Sequence, residues 1–85
     1  MFYKVFTVYD AKAECYMQPF TMRSRGEAVR AFEQSANDPQ NNIGRFAEDF
    51  TLFEIGEYDD ATGRMSQFDA LVALGCAIEY RKGVE

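Results

Sequence analysis

The chain contains no histidine, so the commonest general base and the commonest metal ligand are both missing. Cys15 and Cys76 stand alone in apolar runs. They have neither a base partner nor the spacing of a zinc site or a disulfide framework, and they read as buried reduced thiols. Carboxylates do pair, at Glu48-Asp49 and Asp59-Asp60, but adjacent acids in a turn are usually solvated or capping. Asp59-Asp60-Ala61-Thr62-Gly63 also lacks the spacing of a calcium loop, and no Gly-rich phosphate loop occurs. These residues point to binding and away from catalysis: a non-enzyme that needs no metal or cofactor. Stacking is what they do offer. Tyr3, Tyr9 and Tyr16 lie with Lys4, Lys12, Arg23 and Arg25 along the first hairpin and its exit. Bases stack on such rings at about 1–3 kcal/mol each while cations hold the backbone, which is how single strands are bound. The same rings equally suit a core or a dimer interface, with the cations solvating the surface.

Positioning those rings falls to the first strand, Phe2-Tyr3-Lys4-Val5-Phe6-Thr7-Val8-Tyr9. Alternation puts Phe2, Lys4, Phe6 and Val8 on one side and Tyr3, Val5, Thr7 and Tyr9 on the other. Both sides carry apolar bulk, whereas a hairpin sheet in a small monomer shows one apolar and one polar face. More protein, a second copy or a flat ligand such as a nucleobase must therefore cover the second side. Asp10-Ala11-Lys12 is a hairpin turn, and a second strand follows over about Ala13–Met22. Pro19 cannot donate to a ladder, so that strand is bulged or lies at an edge.

Ser24-Arg25-Gly26-Glu27 has the form of a capping box, and the spacing predicts a helix over about Arg25–Ala36. Ala28, Ala31, Phe32, Ser35 and Ala36 form its apolar stripe, and Asn37-Asp38-Pro39 stops it. Ile43–Asp49 reads as a short turn or helical piece. A third strand is predicted over about Phe50–Tyr58, a turn at Asp59–Gly63, and a short fourth strand near Arg64–Phe68. Asp69–Gly75 fits a helical turn or an extended loop, and alternation over Cys76–Arg81 suggests a fifth strand. The resulting class is α+β: an antiparallel sheet of four to five strands, one main helix on one face, order β-β-α-β-β-β, in a single domain over residues 1–85.

A chain of 85 residues buries only about 60–65% of its unfolded surface. Aromatics at 15% are generous for that size and leave apolar surface for a partner, so a two-fold homodimer is expected. The net charge of −5 argues against a strong duplex binder. It is unevenly spread, since residues 31–60 hold Arg45 alone against eight acids. The start has no signal-peptide pattern, and no apolar run approaches the ~20 residues that span a bilayer, so the chain reads as cytosolic with no membrane partner.

The run Phe6–Ala13, then Gln18-Pro19-Phe20 and Arg25–Arg30, resembles the small nonstructural protein of gokushoviruses, the single-stranded DNA phages of the Microviridae. So do Asn37-Asp38-Pro39, Glu48–Gly56, Asp59–Gly63 and Leu74–Glu79, in an order that covers nearly the whole chain. The resemblance implies a DNA-binding protein, or a counterpart of the phage protein that switches synthesis to single-stranded genomes, at work in the host bacterial cytoplasm. It carries no catalytic motif with it. Single-stranded DNA is then the expected partner, bound during genome synthesis or packaging by Tyr3, Lys4, Tyr9, Lys12, Tyr16, Arg23 and Arg25. The alternative is a dimeric adaptor that meets other phage replication or capsid proteins without touching DNA.

Overall fold

Ser24 sits in extended backbone (φ −143°, ψ 159°), and its hydroxyl accepts the Glu27 N–H at 3.1 Å, which starts α1 at Arg25. The Glu27 carboxylate returns a bond to the Arg23 N–H at 3.3 Å, one residue earlier than a capping box would place it. The helix runs Arg25–Ala36, as the stripe predicts, and buries Ala28, Phe32 and Ala36. The computed structural model describes residues 1–82. It lays α1 on an antiparallel sheet of five strands: β1 Phe2–Asp10, β2 Cys15–Tyr16, β3 Phe20–Met22, β4 Phe50–Asp59 and β5 Arg64–Cys76. β2 and β3 share one side of β1, β4 takes the other, and β5 lies outside β4, so the sheet curls as a half-barrel. Between α1 and β4 come the short helix α2, Asn42–Arg45, and a 3₁₀ turn at Ala47–Asp49.

The class is the expected one, but the elements fall in a different order, with three strands before the helix and two after. The stretch read as one strand over Ala13–Met22 is two short ones, because Pro19 has no N–H and the ladder breaks over Met17–Pro19. The suggested strand at Cys76–Arg81 is instead a 3₁₀ turn, Ala77–Tyr80. Gly75, at φ +130°, follows a bulge at Leu74, and the chain leaves the ladder after Cys76. The Cys76 thiol is only partly buried and that of Cys15 on β2 is exposed, where both were expected to be buried. Ala77 is buried, and the Tyr80 ring meets Phe32 edge-on at 5.9 Å while its hydroxyl donates to the Leu74 carbonyl. Asn37, the residue after α1, locks that turn: its side chain donates to the carbonyls of Glu33 (2.8 Å) and Tyr80 (3.0 Å) and accepts the Lys82 N–H (2.7 Å). The segment between the short fourth strand and Cys76 is extended, so Arg64–Cys76 is one strand of 13 residues paired along β4.

Pairing is irregular where the sheet curls. Ile55 is an extra residue of β4 between the pairs Val5–Gly56 and Phe6–Glu54, and residues 68–71 of β5 stand against it alone. Gly56 is required beside this bulge, since a Cβ there would lie 2.2 Å from the Ser66 carbonyl oxygen.

The core lies between the sheet and α1. Phe6 and Val8 of β1 and Phe50 and Leu52 of β4 meet Ala28, Phe32 and Ala36, and Ile43, Ala47 and Ala77 close the end. The small helix residues let α1 approach closely around one ring. Phe32→Ala removes that ring from a site only 4% exposed. The expected cost is about 3–5 kcal/mol, most of the stability of so small a domain. A thermal melt followed by circular dichroism checks it. A variant that melts within a degree or two of the parent would mean that this face of α1 does not carry the core.

Candidate nucleic-acid interface

The aromatic side of β1 is not bare. Val5 and Thr7 point away from α1 and are still only 2% and 4% exposed. The chain covers them itself: the Met17–Pro19 connector closes from one side, held by the Thr7 hydroxyl donating to the Met17 carbonyl at 2.8 Å. From the other side come Ile55 of β4 and Gln67 and Leu71 of β5, which with Met17 and Pro19 bound a shallow recess of about 240 Å³. Of the three covers expected for this face, more protein accounts for its middle, without a second copy.

At the β1–β2 end the face opens onto rings. Tyr9 and Tyr16 are cross-strand partners with centroids 4.8 Å apart, and Tyr16 meets Phe53 of β4 edge-on at 5.9 Å. Tyr16 is half exposed and Tyr9 and Phe53 partly so, which leaves ring surface free for a further flat group. Tyr3 shares the face but lies six residues along β1 from Tyr9, about 20 Å at ~3.3 Å per residue, beside Tyr58.

The cations are distributed differently. Lys4 points to the α1 side, where Glu54 of β4 is buried at 2% exposure. Arg25, the first residue of α1, reaches the same carboxylate: its Nε donates to Oε1 at 2.8 Å and Nη2 lies 2.8 Å from that oxygen, while Lys4 Nζ stands 3.8 Å from Oε2. Two of the four candidate phosphate contacts are thus held by an internal anion on the face opposite the tyrosines. Arg23 is exposed at the mouth of α1. Lys12 lies in the β1–β2 turn, which Asp10 shapes by accepting the N–H groups of Lys12 (3.0 Å) and Ala13 (3.2 Å). Besides Lys4 and Arg25, only Lys82 among the described lysines and arginines makes an ion pair, with Glu33 at 3.2 Å.

Sequence reasoning missed an aromatic group near Lys12. Phe46, after α2, is 51% exposed, and the Arg45 guanidinium lies 5.3 Å from its ring centroid. Phe46 and Lys12 share a recess of about 270 Å³ with Asp10, Asn42, Asp49 and Phe50. The signal was Arg45-Phe46, a cation beside a ring in an otherwise polar connector, but Ile43–Asp49 carries no periodicity that would expose it. The described residues contain no cluster of three or more potential metal ligands, and none of their helices is long and apolar enough to cross a membrane.

Residues 3–80 match the model of the phage ORF5 protein family, and the chain belongs to that family. No curated protein and no solved structure gives a significant match.

The Glu54 cluster makes a prediction about stability. Arg25→Ala leaves a buried carboxylate with Lys4 as its only cation, at an expected cost of about 1–3 kcal/mol. Adding Glu54→Gln should recover part of that loss, because an amide needs no counter-charge. Urea unfolding of both variants checks the pair. An Arg25→Ala midpoint equal to the parent's would show that the ion pair does not hold α1 to the sheet.

Proposed function

We propose that this phage protein binds single-stranded DNA during viral genome synthesis or packaging, as its resemblance to the gokushovirus protein implies, and has no catalytic role. The observation that carries the reading is the Tyr9–Tyr16–Phe53 cluster, whose rings are partly open on the face away from α1. Bases stack there, and Lys12 at the adjoining turn takes a phosphate, with Arg23 as a further contact. The strand continues past Lys12 onto Phe46, under Arg45. Lys4 and Arg25 hold Glu54 and receive no phosphate in this reading, and Tyr3 lies at the far end of the face. Asp10 and Asp49 beside Lys12 weaken the local positive potential, so binding is weak and strongly salt-dependent.

The same Glu54 cluster favours a second reading. With two cations held internally and a net charge of −5, the ring-bearing face suits a protein partner, and the chain then acts as an adaptor in phage replication or assembly.

Fluorescence anisotropy with labelled single strands, duplex and RNA at two salt concentrations separates these readings. Tyr16→Ala is expected to weaken single-strand binding by about 1–3 kcal/mol, roughly 5- to 150-fold. Lys12→Ala/Arg23→Ala should flatten the salt dependence by about 1.4 in the log–log slope, two contacts at ~0.7 each. No detectable single-strand binding by the parent at low salt would leave the adaptor reading. Binding that survives both variants unchanged would place the site elsewhere.

A further inference from the structure

The C-terminal end of α1 meets α2 and the chain after the 3₁₀ turn in a recess of about 330 Å³. Arg45 and Arg81 both line it, and Ala36, Asn37, Pro39 and Gly44 complete the wall. No acid does, although residues 31–60 hold Arg45 alone against eight of them. Among the described residues neither guanidinium makes an ion pair, whereas the neighbouring Lys82 is taken by Glu33. Two cations that line one recess repel each other and attract an anion set between them.

The fold sets both arginines in place. Gly44 is buried and lets α2 close on the end of α1, because a Cβ there would strike the Asp38 and Ser35 carbonyl oxygens. Arg45 follows directly, and its guanidinium stands over the Phe46 ring. Arg81 lies between the two backbone groups that the Asn37 side chain grips, the Tyr80 carbonyl and the Lys82 N–H. An anion at the C-terminal end of a helix would ordinarily meet exposed carbonyls. Here those of Glu33, Gln34 and Ser35 already accept the N–H groups of Asn37 and Asp38.

We propose that Arg45 and Arg81 form a phosphate-binding site, filled by a phosphodiester of the bound strand beside Phe46. Guanidinium forks match phosphate oxygens two at a time and keep their charge at any physiological pH. A phosphate suits the site better than a protein carboxylate because Arg45 serves both the recess and an exposed ring. One nucleotide offers a base to that ring and an anion to the recess, and a carboxylate side chain brings no flat group with it. The recess at Lys12 is a poorer place for a phosphate, since Asp10 and Asp49 line it beside the cation. Filling by a strand rests on the DNA-binding reading; affinity for phosphate does not.

Titration of the isotope-labelled full chain with inorganic phosphate, followed by NMR, tests the site without DNA. Sodium chloride and sodium acetate at matched ionic strength and pH are the controls. Phosphate should shift the Arg45 and Arg81 Nε–H signals and the Gly44 amide to saturation, and the controls should not. Arg81→Ala, at an exposed residue, should melt with the parent and lose that saturation. Arg81→Lys should restore only part of it, because an ammonium is not a fork. Phosphate shifts no larger than those with chloride overturn the site, and so does saturation that survives Arg81→Ala. An acetate response equal to that of phosphate also overturns it and points to a protein carboxylate. If Arg81→Ala does not fold, the parent and Arg81→Lys decide. In anisotropy with a labelled single strand, Arg81→Ala should flatten the log–log salt slope by about 0.7, one phosphate contact. An unchanged slope in a chain that binds both ligands overturns the phosphodiester as occupant and leaves a free phosphate group. A chain that binds phosphate and no strand overturns the DNA-binding reading and leaves the same free ligand.

Discussion

A carboxylate buried in the middle of the sheet constrains much of the rest of this protein. Glu54 sits on β4 opposite Phe6, with 2% of its surface exposed, and a charge in that position is tolerable only with partners in place. Arg25 supplies one and Lys4 the other. Because Arg25 opens α1, the ion pair sets where the helix begins over the sheet, and Ser24 caps it one residue earlier. Phe32 then falls over Leu52 and Phe6 within a single core cluster. A slip of β4 by one residue would turn Glu54 to the other face and leave Arg25 without its anion.

The same carboxylate divides the two faces of the sheet. Basic side chains that lie close to the tyrosines in sequence are drawn to the α1 side, so the aromatic face is poorer in charge than the first hairpin suggests. What remains near the rings is Lys12, and beyond it Arg45 over Phe46. Such a surface grips flat apolar groups better than it grips a charged backbone. Membership in a phage ORF5 family is compatible with either a strand or a protein as the partner.

The curl of the sheet is the second organising feature. Ile55 and residues 68–71 form bulges, and Gly56 lets the β5 backbone pass close by. This curl brings Gln67 and Leu71 round toward Thr7, which explains how a small chain covers both faces of its first strand. Among the described residues the outer edge of β5 has no strand partner, and the irregularities at residues 68–71 and Leu74 interrupt it.

Several features were legible in the sequence because they rest on short-range physics. The cap at Ser24, the stripe ending in Ala36 and the stop at Asn37 are local hydrogen-bonding and steric preferences, and α1 follows them residue for residue. Alternation along β1 named its two faces, and Pro19 announced a broken edge strand. Only the tertiary structure decided the rest. Cys76–Arg81 alternates like a strand, but the ladder ends at Cys76, and Phe32 and Asn37 hold Ala77–Tyr80 as a turn. Asp69–Gly75 has no strong local preference and became strand because β4 offered a ladder. Lys4 and Arg25 look like free cations in one dimension, and their anion lies 29 residues beyond Arg25. Local sequence specifies what a segment can be; which partner it meets depends on contacts that close only when the chain folds.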